Sequence, residues 1–101
     1  MTKKTRIRNS PRCQLKRAIK TSLKYNQWRM KVLQRDKFTC QACALENYRM
    51  EVHHKINFAK LLDTYEIKSI NEALDCKALW SISNGVTLCH ECHKLTPGYQ
   101  K

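Results

Sequence analysis

Two cysteine pairs of identical spacing are the residues of this chain best suited to chemistry. Cys40 and Cys43 form one pair, Cys89 and Cys92 form the other, and 45 residues separate the pairs. A C-x-x-C spacing lets two thiolates bind one tetrahedral ion from a tight turn, and four thiolates make a closed structural zinc site. Because such a site has no open coordination position, this zinc would stabilise the fold, and any catalysis would lie elsewhere.

Other interpretations of the cysteines remain open at this stage. A C-x-x-C pair can be a redox motif, and reduced cysteines can be buried as small apolar side chains. We expect the latter role for Cys13 and Cys76, which have no partner at a metal-binding spacing. No apolar run follows Met1, and no apolar stretch approaches the roughly 20 residues of a membrane helix. The sequence therefore predicts a soluble cytoplasmic protein, in which disulfides are rare.

The four histidines lie in two short segments. His53 and His54 end a predicted strand, while His90 and His93 accompany the second cysteine pair. Imidazole binds metals and exchanges protons near neutral pH. A zinc ion that holds the two segments together would place His93 opposite the strand, so we expect a second metal site there, with His90 facing solvent.

The elements that must position these residues follow from pattern and capping. Ser10-Pro11 predicts the start of a helix whose apolar stripe is Leu15, Ile19 and Leu23, and Trp28 and Val32 indicate a second helical segment. Phe58, Leu61, Leu62 and Tyr65 fit one face of a later helix, and Ser69 to Glu72 forms a capping box. Short strands are predicted at residues 50–54 and 86–88, with Asn84-Gly85 as a turn before the second strand.

The charge is concentrated in the first third of the chain. The 101 residues carry a net charge of +12, and residues 1–37 hold 13 lysines and arginines against one acid, Asp36. Such density favours a polyanionic partner, because basic side chains that meet phosphates release condensed counterions. Residues 1–9 have no hydrophobic period and predict a flexible basic arm. A solvated charged surface is the alternative. The candidate DNA contacts are Arg12, Lys16, Arg17, Lys20, Lys24 and Arg29.

Taken together, these motifs resemble the zinc-bearing form of the HNH endonuclease family, which is common in phage genomes. The resemblance covers about residues 28–95 and is carried by three segments: residues 28–43 with the first cysteine pair, Glu51-Val52-His53-His54, and Asn84-Gly85-Val86-Thr87-Leu88-Cys89-His90-Glu91-Cys92-His93. It implies an α+β fold with a small ββα-metal core stapled by a four-cysteine zinc site. The implied domains are an N-terminal basic arm and helix, residues 1–27, and a nuclease domain, residues 28–101.

The resemblance also implies a role for each motif residue. His53 and His93 would bind a catalytic divalent ion, magnesium or manganese, and His54 would be the general base. Asn84 would brace the loop between the strands, although a simple Asn-Gly turn accounts for it equally well. Cys40, Cys43, Cys89 and Cys92 would hold the structural zinc.

The implied activity is hydrolysis of phosphodiester bonds in double-stranded DNA, as a nickase or endonuclease leaving 5′-phosphate and 3′-hydroxyl ends. The protein would act as a monomer or homodimer in the host cytoplasm, beside other phage DNA-processing proteins. One departure is Pro97, which stands where colicin-type relatives have a further histidine ligand, and Glu51 is a candidate to contribute to the metal site in its place. The alternative functions are a non-catalytic zinc-stabilised nucleic-acid-binding module and a redox or metal-storage protein.

Overall fold

The computed structural model describes residues 10–46 and 49–96, so the predicted arm at residues 1–9 and Pro97 lie outside the described residues. The chain is a small α+β protein with a two-stranded antiparallel sheet. Its helices are α1 (Pro11–Lys20), α2 (Leu23–Arg35), α3 (Phe58–Thr64), α4 (Ile70–Asp75) and α5 (His90–Lys94), and its strands are β1 (Glu51–His54) and β2 (Gly85–Leu88). Two 3-10 segments, Lys77–Trp80 and Ile82–Asn84, precede β2.

Helix α1 begins as the sequence predicts. The Ser10 hydroxyl accepts a hydrogen bond from the Cys13 amide, and Pro11 occupies the first helical position, where a missing amide costs nothing. The predicted stripe is wrong after Ile19, because Leu23 is 72 % exposed. The chain leaves the helix at Thr21, and Ser22 caps a new helix whose phase is set independently.

Two apolar clusters hold the elements together. The first contains Ile19 of α1 and residues of the following helices and turns: Phe58, Leu61, Leu62, Ile67, Ala73 and Leu79. The predicted domain boundary at residue 27 falls inside α2, and α1 shares its core with the later part of the chain. The assignment of residues 1–27 to DNA contact stays a prediction.

The second cluster lies beside the sheet. It contains Leu33, Met50 and Leu88 together with Cys40 and Cys89. Strand β1 pairs with β2 so that Glu51 lies opposite Leu88 and His53 opposite Val86. Through this cluster α2, the sheet and the cysteine-bearing loops form one packed unit.

The capping box at Ser69 is confirmed. Its hydroxyl accepts from the Glu72 amide, and the Glu72 carboxylate accepts from the Ser69 amide, as α4 begins. Tyr65 departs from the predicted apolar face and is 51 % exposed, because α3 ends at Thr64. Among the described helices, none combines the length and the apolar character needed to cross a membrane.

Candidate functional site

The four paired cysteines converge in space. The Sγ atoms of Cys40, Cys43, Cys89 and Cys92 all lie within 4.8 Å of one another, and those of Cys43 and Cys89 are 3.8 Å apart. A tetrahedral zinc with Zn–S bonds of about 2.3 Å holds its sulfurs roughly 3.8 Å from each other. This cysteine cluster can therefore hold a structural metal ion such as zinc.

Local backbone structure prepares the cysteine cluster for thiolates. The Cys43 amide donates to the Cys40 sulfur at 3.4 Å, and the Cys92 amide donates to the Cys89 sulfur at 3.5 Å. Burial acts to raise the pKa of Cys40, but backbone hydrogen bonds outweigh it and lower that pKa. Hydrogen bonds with the other three cysteine side chains raise the pKa of Cys92. Without a cation, therefore, the four cysteines cannot all be thiolates at once, and a bound metal ion would favour their deprotonation.

The two unpaired cysteines lie elsewhere. Cys13 and Cys76 are both half-buried, and Cys76 packs against the first apolar cluster. Their positions agree with the small apolar roles expected from the sequence.

Two histidines from different elements face each other. His53 on β1 and His93 on α5 have ring centroids 5.2 Å apart, with their planes inclined at 71°. Two imidazoles that share one ion, with metal–nitrogen bonds of about 2.1 Å, have centroids separated by roughly 5 Å. The spacing of this histidine pair fits a shared divalent cation. The histidine pair itself supplies two ligands. Among the described residues, a group of three or more candidate ligands is found at the cysteine cluster.

Glu51, a candidate additional metal ligand from the sequence, contacts His93 of the histidine pair and the neighbouring His90. The Glu51 Oε1 atom lies 2.6 Å from His93 Nδ1, and its Oε2 atom lies 2.9 Å from His90 Nδ1. Burial acts to raise the pKa of Glu51, but its hydrogen bonds to His93 and His90 lower it. His90 is 55 % exposed, as expected, yet it also belongs to this network. The location of Glu51 beside His53 could have been predicted from the sequence, because residues 51 and 53 share one face of a strand.

His54 points into an aromatic environment on the other face of β1. Its ring stacks on Trp28 with centroids 4.6 Å apart and planes at 18°, and Phe58 lies 5.2 Å away. Burial, with a smaller contribution from Lys20, lowers the pKa of His54 to about 4. The imidazole is therefore unprotonated at neutral pH. Trp28 is 2 % exposed, which confirms its predicted place in the core.

Asn84 fixes the backbone that follows His54. Its Oδ1 atom accepts from the Ile56 amide at 2.8 Å, and its carbonyl accepts from the Lys55 amide at 2.8 Å. Asn84 thus braces the loop after β1, while its implied role in orienting His54 stays a prediction. The simple turn interpretation is wrong, because Asn84 closes a 3-10 segment and Gly85 begins β2 with an ordinary φ of −110°.

The predicted DNA contacts have varied surroundings. The Arg12 guanidinium pairs with Asp63, and Arg29 donates to the Met50 carbonyl at 3.3 Å. The Lys20 ammonium lies 5.4 Å from the centre of the Phe58 ring, and burial followed by the charge of Lys16 lowers the pKa of Lys20. Lys24 is exposed, as is Arg17. Lys20 is the member of this set that approaches the aromatic surroundings of His54.

Comparison of the chain with protein-family models, curated proteins and solved structures finds no match. The arrangement of the residues themselves is therefore the basis for assigning a function.

Proposed function

We propose that this chain is a metal-dependent DNA endonuclease or nickase of the HNH type, in which β1, β2 and α5 form a ββα-metal core. One observation carries the proposal: His53 and His93 face each other at 5.2 Å, while the adjacent His54 is held neutral among aromatic rings. This combination offers a candidate cation site and a neutral imidazole on successive residues of one strand, whose side chains leave β1 on opposite faces. After burial and the charge of Lys20, the charges of His53 and His93 also lower the pKa of His54, so the two groups are near enough to influence one phosphate.

The chemistry requires a base for water and a cation for the leaving oxygen. His53 and His93 are the residues that would hold magnesium or manganese, which when bound neutralises charge on the phosphate and the departing 3′-oxygen. His54 takes a proton from the attacking water as the water oxygen bonds to phosphorus and the bond to the 3′-oxygen breaks. The departing 3′-oxygen takes up a proton from a solvent water. The products are a 5′-phosphate and a 3′-hydroxyl. Asn84 keeps the loop after His54 in place.

The cysteine cluster supports this proposal as a structural zinc site. Cys89 caps α5, and Cys92 and His93 are neighbours within that helix. A zinc ion in the cysteine cluster would thus set the position of one member of the histidine pair. The closed four-sulfur geometry assigns this ion no catalytic step.

Cleavage of supercoiled plasmid in magnesium or manganese tests the catalytic proposal. We expect His54→Ala, purified identically, to cut roughly 10²–10⁴-fold more slowly, since that is the usual contribution of a general base. His54→Gln preserves more of the side-chain volume and should be equally impaired. Added imidazole should restore part of the activity of His54→Ala, because it can occupy the vacated space and accept the proton.

Two results would contradict this function. Binding of DNA by the wild type without strand scission in any divalent metal would favour the non-catalytic nucleic-acid-binding module. Equal cleavage by wild type and both His54 variants would show that another group or a contaminant is responsible. Zinc content and thermal melting of each variant establish that a loss of activity is not a loss of fold.

The proposal further assigns double-stranded DNA to the basic surface of α1 and α2. Replacing Lys16, Lys20 and Lys24 by Gln should weaken binding and reduce the slope of log K against log salt by roughly 0.9 for each phosphate contact removed. The matched control replaces Lys60, Lys68 and Lys77 by Gln, which lowers the net charge equally. Fluorescence anisotropy with a labelled duplex at several salt concentrations measures both. Identical slopes in the two triple variants would refute the assigned surface.

A further inference from the structure

The Glu51 carboxylate is hydrogen-bonded to two imidazoles, that of His93 in the histidine pair and that of His90. We propose that Glu51 is a positioning residue: it fixes His93 as the Nδ1–H tautomer and so directs the unprotonated Nε2 atom of His93 to cation binding with His53. The use of His93 as a ligand of a catalytic cation rests on the proposed function. The tautomer of His93 does not, and it can be measured in protein that holds no catalytic cation.

The tautomer follows from hydrogen-bond chemistry. An ionised carboxylate has only acceptor sites, so a ring nitrogen 2.6 Å from Glu51 Oε1 must carry the proton. In a neutral imidazole the other nitrogen then has a free lone pair. Nδ1 of His93 is the nitrogen that meets Glu51, which leaves Nε2 as the metal-binding atom. Carboxylates that orient ligand histidines in this way also increase the basicity of the ligand.

The backbone places Glu51 correctly for this role. Glu51 and His53 project from the same face of β1, because side chains alternate along a strand. Helix α5 packs against that strand and supplies His93, whose side chain is only 18 % exposed. A single face of β1 therefore presents one residue that orients His93 and one that pairs with it.

His90 limits the movement of the carboxylate. It contacts Oε2 at 2.9 Å while His93 contacts Oε1 at 2.6 Å, so each oxygen of Glu51 has its own imidazole partner. Rotation of the carboxylate would break both contacts. This double engagement favours a positioning role for Glu51 over a role as a direct metal ligand, which would require an oxygen to leave its histidine.

The decisive measurement is the tautomer of His93, read from ¹⁵N chemical shifts of the side chain in zinc-loaded protein without any other divalent metal. We expect the Nδ1–H form in the wild type and a shift towards the Nε2–H form in Glu51→Ala. Glu51→Gln, which keeps the shape but loses the charge, should shift the tautomer less. The matched control is Glu91→Gln, since the Glu91 carboxylate pairs with Lys94 on the exposed side of α5.

Manganese affinity, measured by calorimetry, is the second measurement. It should fall roughly 10–100-fold in Glu51→Ala, the usual effect of removing a residue that orients a metal ligand, and stay unchanged in Glu91→Gln. An Nε2–H tautomer in the wild type would overturn the inference. An unchanged tautomer and manganese affinity in Glu51→Ala, even with a lowered melting temperature, would reduce Glu51 to a structural contact and also overturn it. A protein that passes both tests but cuts no DNA would refute the proposed function alone.

Discussion

At the residue scale, Gly85 shows how a missing side chain shapes the site. A Cβ atom at this position would lie 2.7 Å from Val32 Cγ2 and 2.9 Å from Trp28 Cζ2, both too close for real contacts. The glycine is therefore required by the close approach of α2 to β2. Trp28, one of the two residues that fill this space, is also the ring on which His54 stacks.

We expect Gly85→Ala to destabilise the protein by about 1–3 kcal/mol, the usual range for inserting a methyl group into a packed core. Urea unfolding followed by tryptophan fluorescence measures the change in the free energy of unfolding. Ser83→Ala, two residues earlier, removes an exposed hydrogen bond with the Ser81 hydroxyl but inserts no atom into the core, so it should cost less, about 0.5 kcal/mol. Equal unfolding midpoints for Gly85→Ala and the wild type would contradict the packing argument.

Residue types and spacing were enough to predict several individual positions. The convergence of the four cysteines and the approach of His93 to β1 follow from ligand spacing, because a shared ion restricts where the segments can lie. The role of Gly85 was misread as a turn, since its neighbours Val32 and Trp28 are more than 50 positions away in sequence. The hydrogen bonds of Glu51 to His90 and His93 were not predicted, because these partners lie 39 and 42 positions away and the packing of α5 against β1 brings them together.

At the element scale, the end of α2 is held against β2 by two adjacent residues, Arg35 and Asp36. They form an ion pair with each other, and both also contact β2. Arg35 donates two hydrogen bonds to the Asp36 carboxylate, at 2.8 and 2.7 Å, and the Thr87 amide donates to the same carboxylate at 3.0 Å. Arg35 also donates to the carbonyls of Ile82 and Gly85. Asp36, the one acid among the first 37 residues, thus holds β2, the strand that leads into Cys89 and helix α5.

We expect Asp36→Asn to lose about 1.5–3 kcal/mol of stability near neutral pH, the usual contribution of hydrogen bonds to a charged group. The hydrogen bonds from Arg35, followed by the opposing effect of burial, leave the pKa of Asp36 below its ordinary value. A lowered folded-state pKa stabilises the protein fully above the unfolded pKa of about 3.9, and this advantage disappears as the pH falls through the folded value. Urea unfolding from pH 7 to pH 2.5 should therefore show the two proteins converging in acid. A constant difference across that range would contradict this assignment.

The helix starts were largely predictable, whereas the connections between elements were not. Ser10 and Ser69 cap their helices through hydrogen bonds to residues three positions later, so both partners can be identified from a short stretch of sequence. A second helical segment was predicted, but the break before it was placed too late, because Leu23 continues a four-residue stripe in the sequence. The structure breaks the helix at Thr21 and Ser22, and tertiary packing leaves Leu23 exposed. Periodicity describes one element well but does not specify how two helices meet.

At the scale of the whole molecule, the cysteine cluster joins parts of the chain that are distant in sequence. It connects the loop after α2 to the start of α5, and two of its members, Cys40 and Cys89, are buried in the second apolar cluster. A small domain buries limited apolar surface, so a metal ion held by this cluster would contribute a large share of the stability of the fold.

We expect Cys40→Ser to lower the zinc content and to unfold the domain at temperatures where the wild type is folded. Cys13→Ser is the matched control, because Cys13 is half-buried and lies outside the cysteine cluster. Circular dichroism melts with zinc measured by mass spectrometry provide both readouts. A strong chelator should reproduce the effect of Cys40→Ser on the wild type. A zinc-free protein that melts like the zinc-loaded one would contradict the structural role of the metal.

The adjacency of Cys92 and His93 within the five-residue helix α5 has a consequence for cellular control. Peroxide converts metal-binding thiolates to sulfenic acids, which hold the ion poorly. Loss of the ion would release Cys92, and the adjacent His93 would then lose its position opposite His53, because none of the five residues of helix α5 is buried to hold it. A protein that cuts DNA as proposed would therefore lose this activity under oxidative stress without any modification of its histidines.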